Sequence, residues 1–221
     1  EDSAFSFTVP SNTFFDVDGN TLTYTATLSN GQALPSWLSF NISTRNFTGT
    51  PLNADVGDIS VKVTASDGSF SVTDTFTLTV TNTNDDPTAV SLSDNEFNEN
   101  AAGVIIGTLT TTDDDSIHGD SHTYTLSGAD AASFEVLNGE LKLKDTVLAN
   151  FEDKDSYTVT VTTTDTGEAT TSQIFILTVV DTNDTPTAVA LSSIGLPEKI
   201  DGAVVGTLTT TDEDAEDTHT Y

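Results

Sequence analysis

The chain has 221 residues and no cysteine, with 35 acidic against 6 basic side chains and a formal net charge of −29. These figures exclude disulfides, thiolate metal sites and Cys nucleophiles, and a surface this acidic repels nucleic acid phosphate and anionic lipid head groups, whose binding relies on clustered Lys and Arg. The hydrophobic fraction of 35%, set among many Thr, Ser, Asp and Asn, suits several small all-β units better than one large core, and no run of about 18 apolar residues is present to insert directly into a membrane.

From the N-terminus, period-two alternation at Phe5, Phe7 and Val9, at Leu22, Tyr24, Ala26 and Leu28, at Ile59, Val61, Val63 and Ala65, and at Val72, Phe76, Leu78 and Val80 predicts strands. They make up a first unit over residues 1–83. Trp37 in LPSWLSF stands among Leu34, Leu38 and Phe40 and reads as core rather than as a sugar-stacking platform.

A repeat organises the rest. PTAVSLSDNEFNENAAGVIIGTLTTTDDD, from Pro87 to Asp115, reappears from Pro186 to Asp214 at an offset of 99 residues, and Phe76, Leu78 and Val80 map at the same offset onto Phe175, Leu177 and Val179. The second unit therefore spans 84–182, with strands at Tyr124 and Leu126, at Tyr157, Val159 and Val161, and at Phe175 to Val179, and one helical turn within Gly128–Val136. The third, 183–221, is an incomplete beginning whose two or so strands cannot bury a sandwich core unaided. A period near 100 residues suits an immunoglobulin-like Greek-key sandwich. With no Met at position 1, the sequence reads as a piece of a longer polypeptide.

The acids gather where units meet. Asp181, Thr182, Asn183 and Asp184 precede Pro186, with Asp212 and Asp214 downstream; Glu99 and the run Asn150-Phe151-Glu152 lie within the second unit, where the chain could bring them to the same end. Calcium takes six to eight oxygens from carboxylates and carbonyls in adaptable geometry, an inventory this set supplies, whereas magnesium tolerates a crowded protein cage poorly and zinc asks for His or Cys.

DTNDTP resembles the DxNDNxP linker of cadherins, Asn150-Phe151-Glu152 takes the place of the cadherin DRE motif, and Asp113-Asp114-Asp115 and Asp212-Glu213-Asp214 match its DxD. The resemblance implies tandem cadherin-like sandwiches, with Glu99 as the early calcium-binding Glu and Asp165 as the late acid. Asn150 stands where the motif has Asp, and Thr185 where the linker has Asn, which implies an incomplete ion set. The first unit resembles the dystroglycan-type cadherin-like domain of bacterial surface proteins through FDVDGNTLTYTATL, LPSWLSF, FTGTP, ADVG and VTASDG. That likeness implies Asp16, Asp18 and Asp67 for a joint with a preceding unit, and Asn82, Asn84, Asp85, Asp113, Asp115 and Asp165 for the joint with the second unit. No DRE counterpart is visible there, where Thr44-Arg45-Asn46 stands nearby, so fewer ions are expected.

The resulting expectation is a secreted segment of a bacterial cell-surface adhesin, with calcium at the joints between neighbouring repeats and an extender role. The alternative is a module that binds a cell-surface glycan, peptide or protein. Exchange of an N-terminal strand, as in animal cadherins, has no Trp near residue 1 to support it. Nothing assembles a Ser, His and acid grouping or a phosphate loop. His118, His122 and His219 read as structural or exposed, so no enzyme activity is expected.

Overall fold

The structure, a computed structural model, describes residues 1–195 and 198–221. It is all-β, with 3₁₀ turns as the helical elements among the described residues; none is long and apolar enough to cross a membrane. Two compact units divide it, residues 1–85 with 113–121, and residues 86–112 with 122–221.

In the first unit, β1 (Phe5–Thr8), β2 (Thr23–Leu28), β3 (Leu38–Asn41), β4 (Asn46–Gly49), β5 (Gly57–Ser66) and β6 (Ser71–Val80) form two antiparallel sheets, ordered β1-β4-β3 and β2-β5-β6. Alternation puts Val61, Val63 and Ala65 of β5 inward, where they meet Val9, Phe14, Leu38 and Phe47. Trp37 packs against this core, as its neighbours in sequence imply. At the β3–β4 turn, the Asn41 side-chain oxygen accepts from the Ser43 and Thr44 N–H groups at 3.0 and 3.1 Å, and Arg45 takes a left-handed φ of 56°.

Gly49 closes β4 where the chain crosses beneath Trp37: a Cβ there would lie 1.9 Å from the Trp37 carbonyl oxygen. That atom is backbone and cannot swing away. Gly49→Ala is therefore expected to lower the stability of the first unit by about 1–3 kcal/mol, read as a lower melting midpoint for Trp37 fluorescence.

The second unit contains β7 (Ala89–Leu92), β8 (Glu96–Asn98), β9 (Ile105–Thr112), β10 (Thr123–Ser127), β11 (Phe134–Leu137), β12 (Glu140–Leu143), β13 (Ser156–Thr164) and β14 (Thr170–Val180). Its sheets are ordered β11-β12-β9-β7 and β10-β13-β14-β8, with β8 running parallel to the end of β14. Phe97, Phe134, Leu141, Leu143, Tyr157, Val159, Val161, Leu177 and Val179 fill the core. Thr163 follows them inward and is fully buried, its hydroxyl bonded to that of Thr111 at 2.8 Å, which in turn reaches the Tyr124 hydroxyl at 3.0 Å. The helical turn expected within Gly128–Val136 is a 3₁₀ turn, Ala131–Ser133.

Beyond β14, β15 (Ala188–Leu191) and β16 (Leu208–Thr211) pair as a two-stranded sheet. No side chain past residue 180 is buried among the described residues, so these strands carry no core of their own.

Candidate cation sites

In the second unit, β8 lies parallel to the end of β14 and delivers Glu99 beside the strand's last residues. The Glu99 N–H donates to the Val180 carbonyl at 3.2 Å. Its side chain is only 2% exposed, with Oε2 accepting from the Phe151 N–H at 2.6 Å and Oε1 from the Thr182 N–H at 2.8 Å. Two backbone donors thus hold one carboxylate at the point where three chain segments converge.

Around it, oxygens of Glu99, Glu152 and Asp184 lie within 4.8 Å of one another, and so do oxygens of Glu152, Asp181 and Asp214. Two ligands each 2.3–2.6 Å from one calcium ion stand at most about 5 Å apart, so these sets fit a shared ion. The Asp184 N–H donates to the Asp214 carboxylate, Asp184 Oδ1 accepts from Asn100 Nδ2 at 2.7 Å, and Asp184 Oδ2 is buried without a protein partner. A buried carboxylate oxygen left unpaired is costly unless a cation or water completes it.

The electrostatics agree. Burial, Asp214 and Glu99 raise the Asp181 carboxyl above the ordinary Asp range. Burial, Glu99, Glu213 and Asp214 raise Asp184. Glu152 is also raised: its own N–H bonds to it and pulls the other way, but burial and the charges of Glu99, Asp181 and Asp214 prevail. The basic side chains Lys142, Lys154 and Lys199 pair with Glu135 and Asp145, with Asp130, and with Glu198, acids that belong to neither set.

A raised folded-state value means that these carboxyls favour folding below the usual range near 4 and oppose it as pH rises through their raised values. In chelator, acidification from pH 7 toward 4 is therefore expected to raise the melting temperature of the second unit, and Asp181→Asn to weaken that rise. Melting curves across this range check it, and an equal slope in both proteins would contradict it.

The first unit repeats the arrangement, joining Asp85, Asp113 and Asp115, which the sequence singled out, with Glu1, Asp2 and Asn53, which it did not. Glu1, 7% exposed, occupies the place of Glu99: its nitrogen donates to the Thr81 carbonyl at 2.9 Å and its Oε1 accepts from the Thr83 N–H at 2.5 Å. Asp2 matches Asn100, with φ of 58° against 60°, and its N–H donates to Pro51 as that of Asn100 does to Ala149. Oxygens of Glu1, Asp2 and Asp85 lie within 4.8 Å of one another. The Asp85 N–H donates to Asp115 Oδ2 at 2.5 Å, Asn53 Nδ2 donates to Asp85 Oδ2 at 2.5 Å, and Asp115 N–H donates to Asp113 Oδ1 at 2.9 Å. Glu1 Oε2, Asn53 Oδ1 and Asp115 Oδ1 are buried without protein partners, Asp115 being 1% exposed. Burial and the charge of Asp85 raise Asp2.

Asn84 and Asn183 turn their amides onto the carbonyls of Asp85 and Asp184 at 3.0 and 2.7 Å. Asn82 is exposed. Asn150 uses its oxygen to accept from the Asp153 N–H at 2.8 Å and its amide to donate to Glu213 Oε2 at 2.6 Å. Asp212 accepts from the Asp214 N–H at 3.4 Å and contacts His219 Nε2 at 2.7 Å. Asp165, in the second unit, accepts from the Ala169 N–H at 2.7 Å across the β13–β14 turn. Asp16 accepts from the Asp18 and Asn20 N–H groups, and Asp67 from those of Ser69 and Phe70, which pull Asp67 below the usual range; no close acidic group among the described residues includes Asp16, Asp18 or Asp67.

Residues 1–81 match the family described as "Putative Ig domain". No curated protein matches the chain. Among solved structures it is similar to human CDH23 EC21-23 (19% identity, TM-score 0.63, 87% of this chain and 68% of that one). It is also similar to the protocadherin GammaB4 extracellular domain (22%, 0.61, 90% and 33%) and to the protocadherin gammaB7 EC3-6 cis-dimer structure (20%, 0.57, 87% and 48%). The fold is cadherin-like. The chain spans about a third and about half of the two protocadherin chains, and at these identities the likeness is one of fold.

Proposed function

We propose that the chain is a calcium-binding segment of an extracellular adhesin of the bacterial cell surface, its tandem repeats ending near residues 83 and 182 and stiffened by calcium at their joints. One observation carries the reading: in both units, buried carboxylate or amide oxygens without protein partners face close groups of acids. Glu99, Glu152, Asp181, Asp184 and Asp214 hold the ion in the second unit; Glu1, Asp2, Asn53, Asp85 and Asp115 do so in the first. Bound there, calcium supplies the counter-charge that these carboxylates lack. The role is structural and no catalytic residue is assigned. Support for the bacterial origin and the dystroglycan-type first unit comes from the motifs FDVDGN, LPSWLSF and VTASDG. Calorimetric titration with calcium, after chelation and with a parallel magnesium arm, tests the reading; heats equal to buffer dilution would overturn it.

A second reading, recognition of a glycan or peptide, is favoured by one feature. Phe15 and Phe70, 80% and 81% exposed, line a shallow pocket with Leu22 and Val72 beside Asp16 and Asp67. Array screening in calcium distinguishes the two, since uniformly blank arrays favour the extender role.

A further inference from the structure

The two acidic groups share a detail that their sequences do not. Each linker aspartate, Asp85 in one and Asp184 in the other, is held by one asparagine amide, but the asparagines come from different places. Asn100, following Glu99, donates to Asp184 at 2.7 Å; in the first unit that position is Asp2, and the donor is instead Asn53 on the 3₁₀ turn Asn53–Asp55, reaching Asp85 at 2.5 Å. The same contact made from two unrelated positions argues for a requirement of the site rather than an accident of the repeat.

We infer that the side-chain N–H groups of Asn53 and Asn100 fix the linker aspartates as one-oxygen cation ligands, Asn53 doing so while its own Oδ1 faces the ion, and that they hold these aspartates in place when no cation is bound. This rests on the calcium reading above. An amide bonded to one carboxylate oxygen stops the group from rotating and leaves the other for a cation; in Asp184 that other oxygen is Oδ2, buried and unpartnered. The donor must be neutral. A Lys or Arg in its place would repel the incoming ion, and a carboxylate would add to the repulsion already present. Asn100 also sits at a left-handed φ of 60°, which Asn tolerates better than most residues.

The test uses the whole chain and the variants Asn100→Gly, which keeps the left-handed backbone and removes the amide, and Asn53→Ala. A hydrogen bond to a charged group at this strength corresponds to roughly a tenfold change in affinity. Calcium calorimetry is expected to show one class of site weakened about tenfold in Asn100→Gly and by about tenfold or more in Asn53→Ala, which also removes the Oδ1 oxygen, so the exchange at Asp85 is what reads the positioning role there. In chelator, amide exchange is expected to accelerate at Asp184 alone in Asn100→Gly and at Asp85 alone in Asn53→Ala. Unchanged calcium affinity, or exchange at Asp85 and Asp184 that moves together in either variant, overturns the inference. Wild-type protein that takes up no calcium overturns the calcium reading instead, and the chelator exchange then judges the holding role by itself.

Discussion

Withdrawing calcium is expected to lower the melting temperature by roughly 10–20 °C for each unit of about 100 residues. A ligand at a hundred times its dissociation constant stabilises the state it binds by about 2.7 kcal/mol per site, and 1 kcal/mol shifts the midpoint of a domain of this size by about 4–8 °C. The direction follows from the acids themselves: Glu152, Asp181 and Asp184 are all pushed up by desolvation and by the charges of Glu99 and Asp214, so what a cation relieves is already present in the fold. Magnesium at the same concentration is expected to recover little of the loss, because it holds its waters and demands near-octahedral geometry. Scattering profiles recorded alongside the melts are expected to show a longer maximum dimension with calcium than with chelator. Equal midpoints and equal dimensions in the two buffers would remove the structural role for calcium.

Seven strands, β1, β2, β5, β6, β10, β13 and β14, were legible because period two is a local property. Tyr157, Val159 and Val161 alternate inward along β13 as their spacing implies. Thr163 was not legible as a core residue, since its burial depends on the Thr111 and Tyr124 hydroxyls arriving from other strands. The second unit's acids were readable for a different reason: the offset of 99 residues copies the linker and the DxD, so recurrence stood in for geometry. In the first unit that guide failed. Glu1 and Asp2 match Glu99 and Asn100 at an offset of 98, with little surrounding identity, and what fixes the match is bonding to the backbone of Thr81, Thr83 and Pro51. Thr44-Arg45-Asn46 is not the counterpart of Asn150-Phe151-Glu152, because Asn46 is bonded to Ser6 and Thr8 across the β1–β4 pair. Bonding of Asp2 to Pro51 and of Asn100 to Ala149 makes Leu52-Asn53-Ala54 the equivalent stretch, in which one amide oxygen replaces the charged ligand.

Glu99 separates the tethering role of a carboxylate from its role in holding an ion, and two substitutions are expected to move stability in opposite directions. Glu99→Ala removes the acceptor for the Phe151 and Thr182 N–H groups, which meet nothing else in this half-buried corner. Leaving a buried donor unsatisfied costs about 1–3 kcal/mol, so in chelator the second unit is expected to lose about 2–4 kcal/mol, and in calcium a further 2.7 kcal/mol or so with the lost site. Glu99→Gln keeps one acceptor oxygen and removes the charge that helps raise Glu152, Asp181 and Asp184. In chelator this variant is expected to melt at or above the wild-type temperature, because relief of like-charge repulsion offsets one lost hydrogen bond. In calcium the order reverses, since an amide oxygen without charge holds the ion more weakly than a carboxylate. Melting curves of the three proteins in both buffers decide the matter. If Glu99→Gln melts below wild type by the same margin in chelator and in calcium, Glu99 is a tether alone and the ion has no part in its burial.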